Sequence, residues 1–101
     1  MDLTLESGKV ISMVTEYDIR TLLAGQQFAI LTERELTYLQ CARRNDEADD
    51  YVLEYQAGSL DEHYVATDTD ITLERVISAF LRYRRGDASW WNEFHWQKME
   101  L

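Results

Sequence analysis

The sequence contains no proline, a single cysteine and only four glycines among its 101 residues. With Cys41 as the only thiol, an intrachain disulfide is impossible, and a reducing compartment such as the cytoplasm is expected. No apolar run approaches the roughly 20 residues that span a bilayer. Residues 1–6 lack the basic start and apolar stretch of a signal peptide. Composition therefore predicts one small cytoplasmic domain over residues 1–101, without a membrane-spanning segment.

Basic residues are absent from one long stretch of the chain. Residues 46–70 contain nine acidic residues and neither lysine nor arginine, whereas the rest of the sequence has ten acidic and ten basic residues. The whole net charge of −9 therefore lies in this segment. Such a field repels nucleic acid and anionic membranes and favours a basic protein partner; a solubilising surface is the alternative. The nine residues are Asp46, Glu47, Asp49, Asp50, Glu54, Asp61, Glu62, Asp68 and Asp70.

The clearest predicted element is a long helix over about residues 73–85. Thr72 is a suitable N-cap, and three arginines stand in the last turn, where the helix dipole favours cations. Gly86 follows at the position where a left-handed backbone ends many helices. One face of the helix is apolar at helical spacing, and it consists of Leu73, Val76, Ile77, Phe80 and Leu81.

The remaining pattern predicts an α+β fold. A short helix is expected over about residues 16–24, with Thr15 and Asp18 as a capping box. Between the helices the hydrophobic period changes to two, which is typical of strands. Short connections predict an antiparallel meander sheet of about four to six strands, with the long helix packed on one face. The predicted strands are 28–31, 36–42, 51–57 and 63–67, with 3–5 and 94–99 as further candidates.

The alternation of the strands assigns side chains to the two faces of the sheet. Tyrosines, amides and an acid fall opposite Leu39, Leu53 and Val65, and so are predicted to share the solvent face. This composition suits protein recognition, although any solvated sheet face resembles it. The polar set consists of Tyr38, Gln40, Glu54, Gln56 and Tyr64.

Aromatic residues are concentrated just beyond the long helix. In an extended segment, neighbouring side chains point in opposite directions, so Trp90 and Trp91 are not both expected to be buried. An exposed Trp91 is a candidate interface anchor; partial burial at the rim of the core is the alternative.

No motif of a catalytic or metal site is evident. His63 and His95 lack the paired spacing of zinc ligands, and residues 45–50 and 68–70 do not fit the twelve-residue calcium loop. Cys41 shares a strand face with apolar residues and is expected to be buried and inert. We therefore expect no enzymatic activity, no cofactor and no metal. The alternative is an orphan small-ligand-binding or enzymatic domain built around Tyr38, Glu54 and His63.

Several segments carry a family resemblance. These are residues 51–56, 62–64 and 76–83, together with Gly86, Asp87, Trp90, Phe94 and Trp96. In them the chain resembles a group of small uncharacterised bacterial domains and, more distantly, the immunity proteins of polymorphic-toxin systems. The resemblance covers about residues 28–101. It implies a single-domain antitoxin that neutralises a toxin by masking its active site.

The predicted docking surface combines the acidic segment with the solvent face of the sheet. We expect a basic protein partner, neither nucleic acid nor a membrane, and a chain that is a monomer or a weak homodimer. The predicted partner-binding residues are Asp46, Glu47, Asp49, Asp50, Glu54, Glu62, Tyr38, Tyr64 and Trp91.

Overall fold

A computed structural model describes residues 1–45 and 49–100. The strands are β1 (Asp2–Leu5), β2 (Val10–Ile11), β3 (Phe28–Arg34), β4 (Thr37–Arg43), β5 (Tyr51–Ala57), β6 (His63–Ala66) and β7 (Trp96–Lys98). The helices are α1 (Glu16–Leu22), α2 (Leu73–Arg85) and α3 (Ser89–Asn92), and a 3-10 turn (Leu23–Gly25) follows α1. No helix within the described residues is long and apolar enough to cross a membrane.

The seven strands of the described chain form one antiparallel sheet in the order β2-β1-β3-β4-β5-β6-β7. The run from β3 to β6 is the predicted meander. The sheet has more strands than the four to six expected, partly because β2 contributes only two residues at one edge. A strand of two residues is too short to show an alternating pattern in the sequence.

The two longer helices begin where their sequences predict; α2 also ends as predicted, whereas α1 ends at Leu22, two residues before the predicted end, and continues as a 3-10 turn. The Thr15 hydroxyl accepts a hydrogen bond from the Asp18 N–H at 3.1 Å, and the Asp18 carboxylate accepts one from the Thr15 N–H at 3.0 Å. The Thr72 hydroxyl accepts from the Arg75 N–H at 3.3 Å, and α2 ends at Gly86 with a left-handed φ of 77°. These contacts satisfy N–H groups that have no helical acceptor. The α+β prediction, with a long helix on the sheet and a short N-terminal helix, is confirmed.

The core lies between the helices and one face of the sheet. Val76 and Phe80 of α2 and Ile19 of α1 are fully buried and belong to one apolar cluster with the central strand residues Leu39 and Leu53. Trp90 of α3 belongs to the same cluster and contacts Tyr55 of β5, so all three helices lie on the same side of the sheet. The structure gives the domain two unlike faces, one covered by helices and one without a helix over it among the described residues.

Candidate functional site

The register of the strands defines which side chains occupy the uncovered face. Paired residues of antiparallel strands project to the same side, and the face opposite Leu39, Cys41 and Leu53 is called the open face below. No lysine or arginine stands on it within the strands, all of which are described. Its residues are Asp2, Thr4, Val10, Phe28, Ile30, Thr32, Tyr38, Gln40, Ala42, Val52, Glu54, Gln56, His63, Val65 and Gln97.

A hydrogen-bonded polar network lies at the centre of the open face. His63 Nε2 is 2.8 Å from Glu54 Oε1, and His63 Nδ1 is 3.0 Å from Gln56 Oε1. The Tyr38 hydroxyl donates to the same Gln56 oxygen at 3.3 Å, and Gln40 Nε2 donates to Glu54 Oε2 at 3.4 Å. The His63 side chain is 6% exposed, whereas the Glu54 side chain is 24% exposed. The carboxylate is therefore the part of this pair that solvent or a partner can reach.

Apolar side chains border this network along the sheet. Ile30, Val52 and Val65 are half-buried, and Phe28 is 39% exposed at the end of β3. Apolar and aromatic side chains are common in protein interfaces, although the usual order there, an apolar centre with a polar rim, is reversed on this face.

Three side chains of the sequence-based ligand hypothesis come together in this network. Tyr38 and His63 have ring centroids 6.2 Å apart, and Glu54 contacts His63 directly. Both ring nitrogens of His63 lie within hydrogen-bond distance of side-chain oxygens, one of Gln56 and one of Glu54. This grouping was proposed from the sequence, which also placed Gln56 on the same face. The position of Gln56 between Tyr38 and His63 was not predicted, because it depends on the pairing of β5 with β6.

The predicted acidic docking residues that the structure describes do not form one surface. Asp46 and Glu47 lie outside the described residues. Asp49 accepts a hydrogen bond from the Leu73 N–H at 2.6 Å, at the start of α2 on the helix side. Asp50 forms an ion pair with Arg44 at 3.3 Å.

Glu62 lies at the other end of β5 from Asp50. The seven residues of β5 separate the two ends by roughly 20 Å. Glu62 accepts from the Tyr64 hydroxyl and lies 3.8 Å from Lys98 Nζ. Among the predicted partner-binding residues outside the stretch 46–48, which the structure does not describe, only Tyr38 and Glu54 share the open face.

Tyr64 and Trp91 belong to an aromatic cluster on the helix side. Tyr64 pairs with Tyr55, whereas His63 pairs with Gln56, so the prediction that Tyr64 shares the solvent face with Tyr38 is wrong. The hairpin register, which the alternation alone does not fix, decides the face.

Trp90 and Trp91 lie in α3 rather than in the extended segment that the sequence suggested. Trp90 is buried and Trp91 is half-buried. The Trp91 ring stacks on Trp96 at 4.8 Å with an interplanar angle of 2°, and Trp96 Nε1 donates to the Trp91 carbonyl at 2.8 Å. These contacts cover much of the Trp91 ring, which was proposed from the sequence as a partner-binding side chain. The half-buried ring matches the alternative prediction, partial burial at the rim of the core.

Basic residues are concentrated on the helix side. A groove of about 680 Å³ along α2 is lined by Arg20, Arg75, Arg82 and Arg85, together with Glu74 and Glu93. Most of these cations already have acidic partners: Arg82 with Glu93, Arg85 with Glu16, and Arg75 with Asp68 and Asp70. The two sides of the domain thus differ in charge, since the described strand residues of the open face include no lysine or arginine.

No group of three or more histidine, cysteine or carboxylate side chains within residues 1–45 and 49–100 is arranged to hold a metal ion. Cys41 is buried on the helix side of the sheet, and burial raises the pKa of its thiol to about 12. Such a thiol is not ionised near neutral pH and is a poor nucleophile.

The chain matches no protein-family model, no curated protein and no solved structure. The resemblance to immunity proteins therefore remains an expectation from the sequence. The geometry of the open face is what supports a functional proposal.

Proposed function

We propose that this domain is a protein-binding module that docks a basic partner on the open face of its sheet. One observation carries the proposal: the seven-stranded sheet has a face that no described helix covers and that bears carboxylates without a lysine or arginine. An uncovered face of one charge sign is complementary to a cationic surface.

The side chains of the face support recognition of a protein in particular. Phe28, Ile30, Val52 and Val65 provide apolar contact area, and Tyr38 adds an aromatic ring with a hydroxyl group. Aromatic residues are enriched in protein interfaces, and the central contacts there contribute most of the binding energy.

The acidic segment at residues 46–70 acts at longer range in this proposal. The carboxylates of residues 49–70 are distributed over both ends of the sheet and several have partners, so they do not form one contact surface. Their summed field still attracts a basic protein and accelerates association at low ionic strength. The expected kinetic signature is an association rate that falls as salt is added.

A toxin with a basic substrate cleft is the kind of partner that the sequence resemblance implies. In that case the domain acts as an antitoxin, and the open face covers the active site of the toxin. Charge complementarity supports this form of the proposal.

The proposal is tested by capture with two matched bait variants. Phe28→Arg introduces a bulky cation on the open face, and Tyr17→Arg makes the same aromatic-to-arginine change on α1, where Tyr17 is 74% exposed. We expect a specific partner to be retained by the wild type and by Tyr17→Arg, and to bind Phe28→Arg at least about tenfold more weakly. Urea denaturation of both variants controls for folding.

The reverse pattern would contradict the proposal. A partner that tolerates Phe28→Arg but is lost with Tyr17→Arg docks on the helix side. Charge is tested with a second pair: Glu54→Gln should weaken binding, whereas Glu74→Gln, at an exposed position of α2 on the helix side, should not.

A further inference from the structure

Two turns at one end of the sheet lie against each other. Leu36 belongs to the turn between β3 and β4, and Gly58 begins the turn between β5 and β6. The Leu36 carbonyl oxygen accepts a hydrogen bond from the Gly58 N–H at 3.0 Å. This bond joins the two turns, and the surface formed by residues 35–36 and 58–61 is called the turn surface below.

The backbone conformation of Leu36 is unfavourable for a leucine. Its φ of 61° lies in the left-handed region, where a Cβ crowds the following carbonyl and where hairpins favour glycine or asparagine. The Leu36 side chain is also 47% exposed, so burial offsets little of this cost. Since the stability of the fold does not explain a leucine here, the strained residue points to a contact outside the chain.

A second exposed leucine lies on the turn surface. Leu60 is 62% exposed. Glu35 and Asp61, the exposed chain neighbours of the two leucines, form no ion pair with a residue in 1–45 or 49–100. Two apolar side chains, each beside an unpaired carboxylate, are complementary to a surface that carries both apolar groups and cations.

Charge distinguishes this surface from the other strained apolar residue. Met13 also has a left-handed φ, 53°, and is 84% exposed. It lines a cavity of about 310 Å³ together with Arg84, and no carboxylate of the described residues lines that cavity. Because a cation there repels a basic partner, Met13 is not assigned to the interface and serves as a matched control.

We propose that Leu36 and Leu60 are the apolar anchors of the interface with the basic partner. The proposal rests on the docking function proposed above and states the chemistry of the partner surface. That surface places apolar side chains against the two leucines and lysine or arginine against Glu35 and Asp61.

The turn surface continues the open face. Tyr38 and Gln56 pair across β4 and β5 and are the last residues of the open face before the turns. Gln56 contacts Tyr38 within the polar network and also donates from Nε2 to the Leu36 carbonyl at 3.2 Å. A partner on the open face therefore reaches Leu36 without crossing a part of the domain that carries cations on the strands.

The first test compares stability with binding in matched variants. Leu36→Asn suits the left-handed backbone and removes the anchor, so the midpoint of urea denaturation should rise by roughly 0.5 M while binding of the captured partner falls at least about tenfold. Met13→Asn makes the same change beside Arg84 and should gain stability without loss of binding. Such a result separates the contact from folding.

The second test needs no captured partner. The probe is the peptide acetyl-Lys-Leu-Leu-Lys-amide, and its control is acetyl-Glu-Leu-Leu-Glu-amide. In methyl NMR of the wild-type chain, we expect only the lysine peptide to shift the signals of Leu36 and Leu60, with the Met13 methyl unchanged. Leu36→Asn should lower the affinity measured at Leu60 at least about threefold.

Several results would overturn the proposal. These are a urea midpoint that falls with Leu36→Asn, peptide shifts that are largest at Met13 or equal for the two peptides, and no shift at either leucine. Failure of the docking proposal looks different. If Phe28→Arg abolishes partner capture while Leu36→Asn does not weaken it, docking on the open face stands and the anchors fall. If Leu36→Asn abolishes capture while Phe28→Arg does not, the anchors stand and the open face falls.

Discussion

The carboxylate of Asp49 is predicted to stabilise the fold rather than to contact a partner. It accepts the N–H of Leu73, the first residue of α2, at 2.6 Å. This contact satisfies a donor without a helical acceptor and places negative charge at the positive end of the helix dipole. Thr72 caps a different donor, the Arg75 N–H, so it does not replace Asp49.

The expected magnitude follows from these two contributions. A capping side chain contributes about 0.5–2 kcal/mol, and a charge near a helix N-terminus about 0.3–1 kcal/mol. Asp49→Ala removes both and should lower the free energy of unfolding by about 1–2 kcal/mol. Asp49→Asn keeps an acceptor oxygen and loses only the charge, so its free energy of unfolding should fall by about 0.3–1 kcal/mol.

Urea denaturation followed by circular dichroism measures these differences. For a domain of this size the midpoint should fall by roughly 0.5–1.5 M urea for Asp49→Ala. The control is Asp70→Asn. The Asp70 side chain is 89% exposed, and its carboxylate lies 3.8 Å from the Arg75 guanidinium. Such an exposed ion pair contributes little, so the free energy of unfolding should change by less than about 0.5 kcal/mol. An Asp49→Ala variant that unfolds at the wild-type midpoint would refute the capping role and return Asp49 to the docking surface.

Three further predictions concern the core, the thiol and acid stability. Phe80→Ala should lower the free energy of unfolding by about 3–5 kcal/mol. Ser78→Ala, at a half-buried position of α2, should lower it by less than about 0.5 kcal/mol. Equal losses for the two variants in urea denaturation would contradict the packing of Phe80 in the core. The Cys41 thiol, whose pKa burial raises to about 12, should resist a thiol reagent near pH 8 until the chain unfolds; fast labelling of the native protein would contradict this. The pKa of Asp18 is lowered by its hydrogen bond from the Thr15 N–H, and that of Glu16 by its hydrogen bond from Arg85. Since both folded-state pKa values lie below the unfolded ones, their stabilisation is present above about pH 5 and is lost as pH falls through the folded values. Asp18→Asn and Glu16→Gln should therefore flatten the loss of stability in acid, and an unchanged acid profile would argue against both contacts.

The helices were predictable because their signals are local. Thr72 and Gly86 delimit α2 within a few residues of its ends, and Thr15 with Asp18 marks the start of α1. Capping and helical spacing depend on neighbours in the chain. They are therefore readable without knowledge of the tertiary structure.

The faces of the strands were less predictable. The hairpin between β5 and β6 pairs Gln56 with His63, and a shift of one residue would exchange His63 and Tyr64 between the faces. Trp90 and Trp91 were expected in an extended segment, yet they occupy a helical turn too short to show a period.

The candidate site depends on contacts between residues far apart in sequence. Acidic residues that belong to the same acidic segment of the sequence, such as Asp50 and Glu62, lie at opposite ends of β5. The network of Tyr38, Gln56 and His63 joins three different strands. Charge counts predicted an acidic protein, but only the sheet topology shows which face lacks cations.

Methyl cross-saturation NMR on the complex with the captured partner is the most direct test of the docking proposal. Saturation transferred from the partner should reduce the methyl signals of Ile30, Val52 and Val65, which lie on the open face. The signals of Leu22 and Ile77, half-buried on the helix side, should keep their intensity. Loss of the Leu22 and Ile77 signals with Ile30, Val52 and Val65 unchanged would contradict docking on the open face.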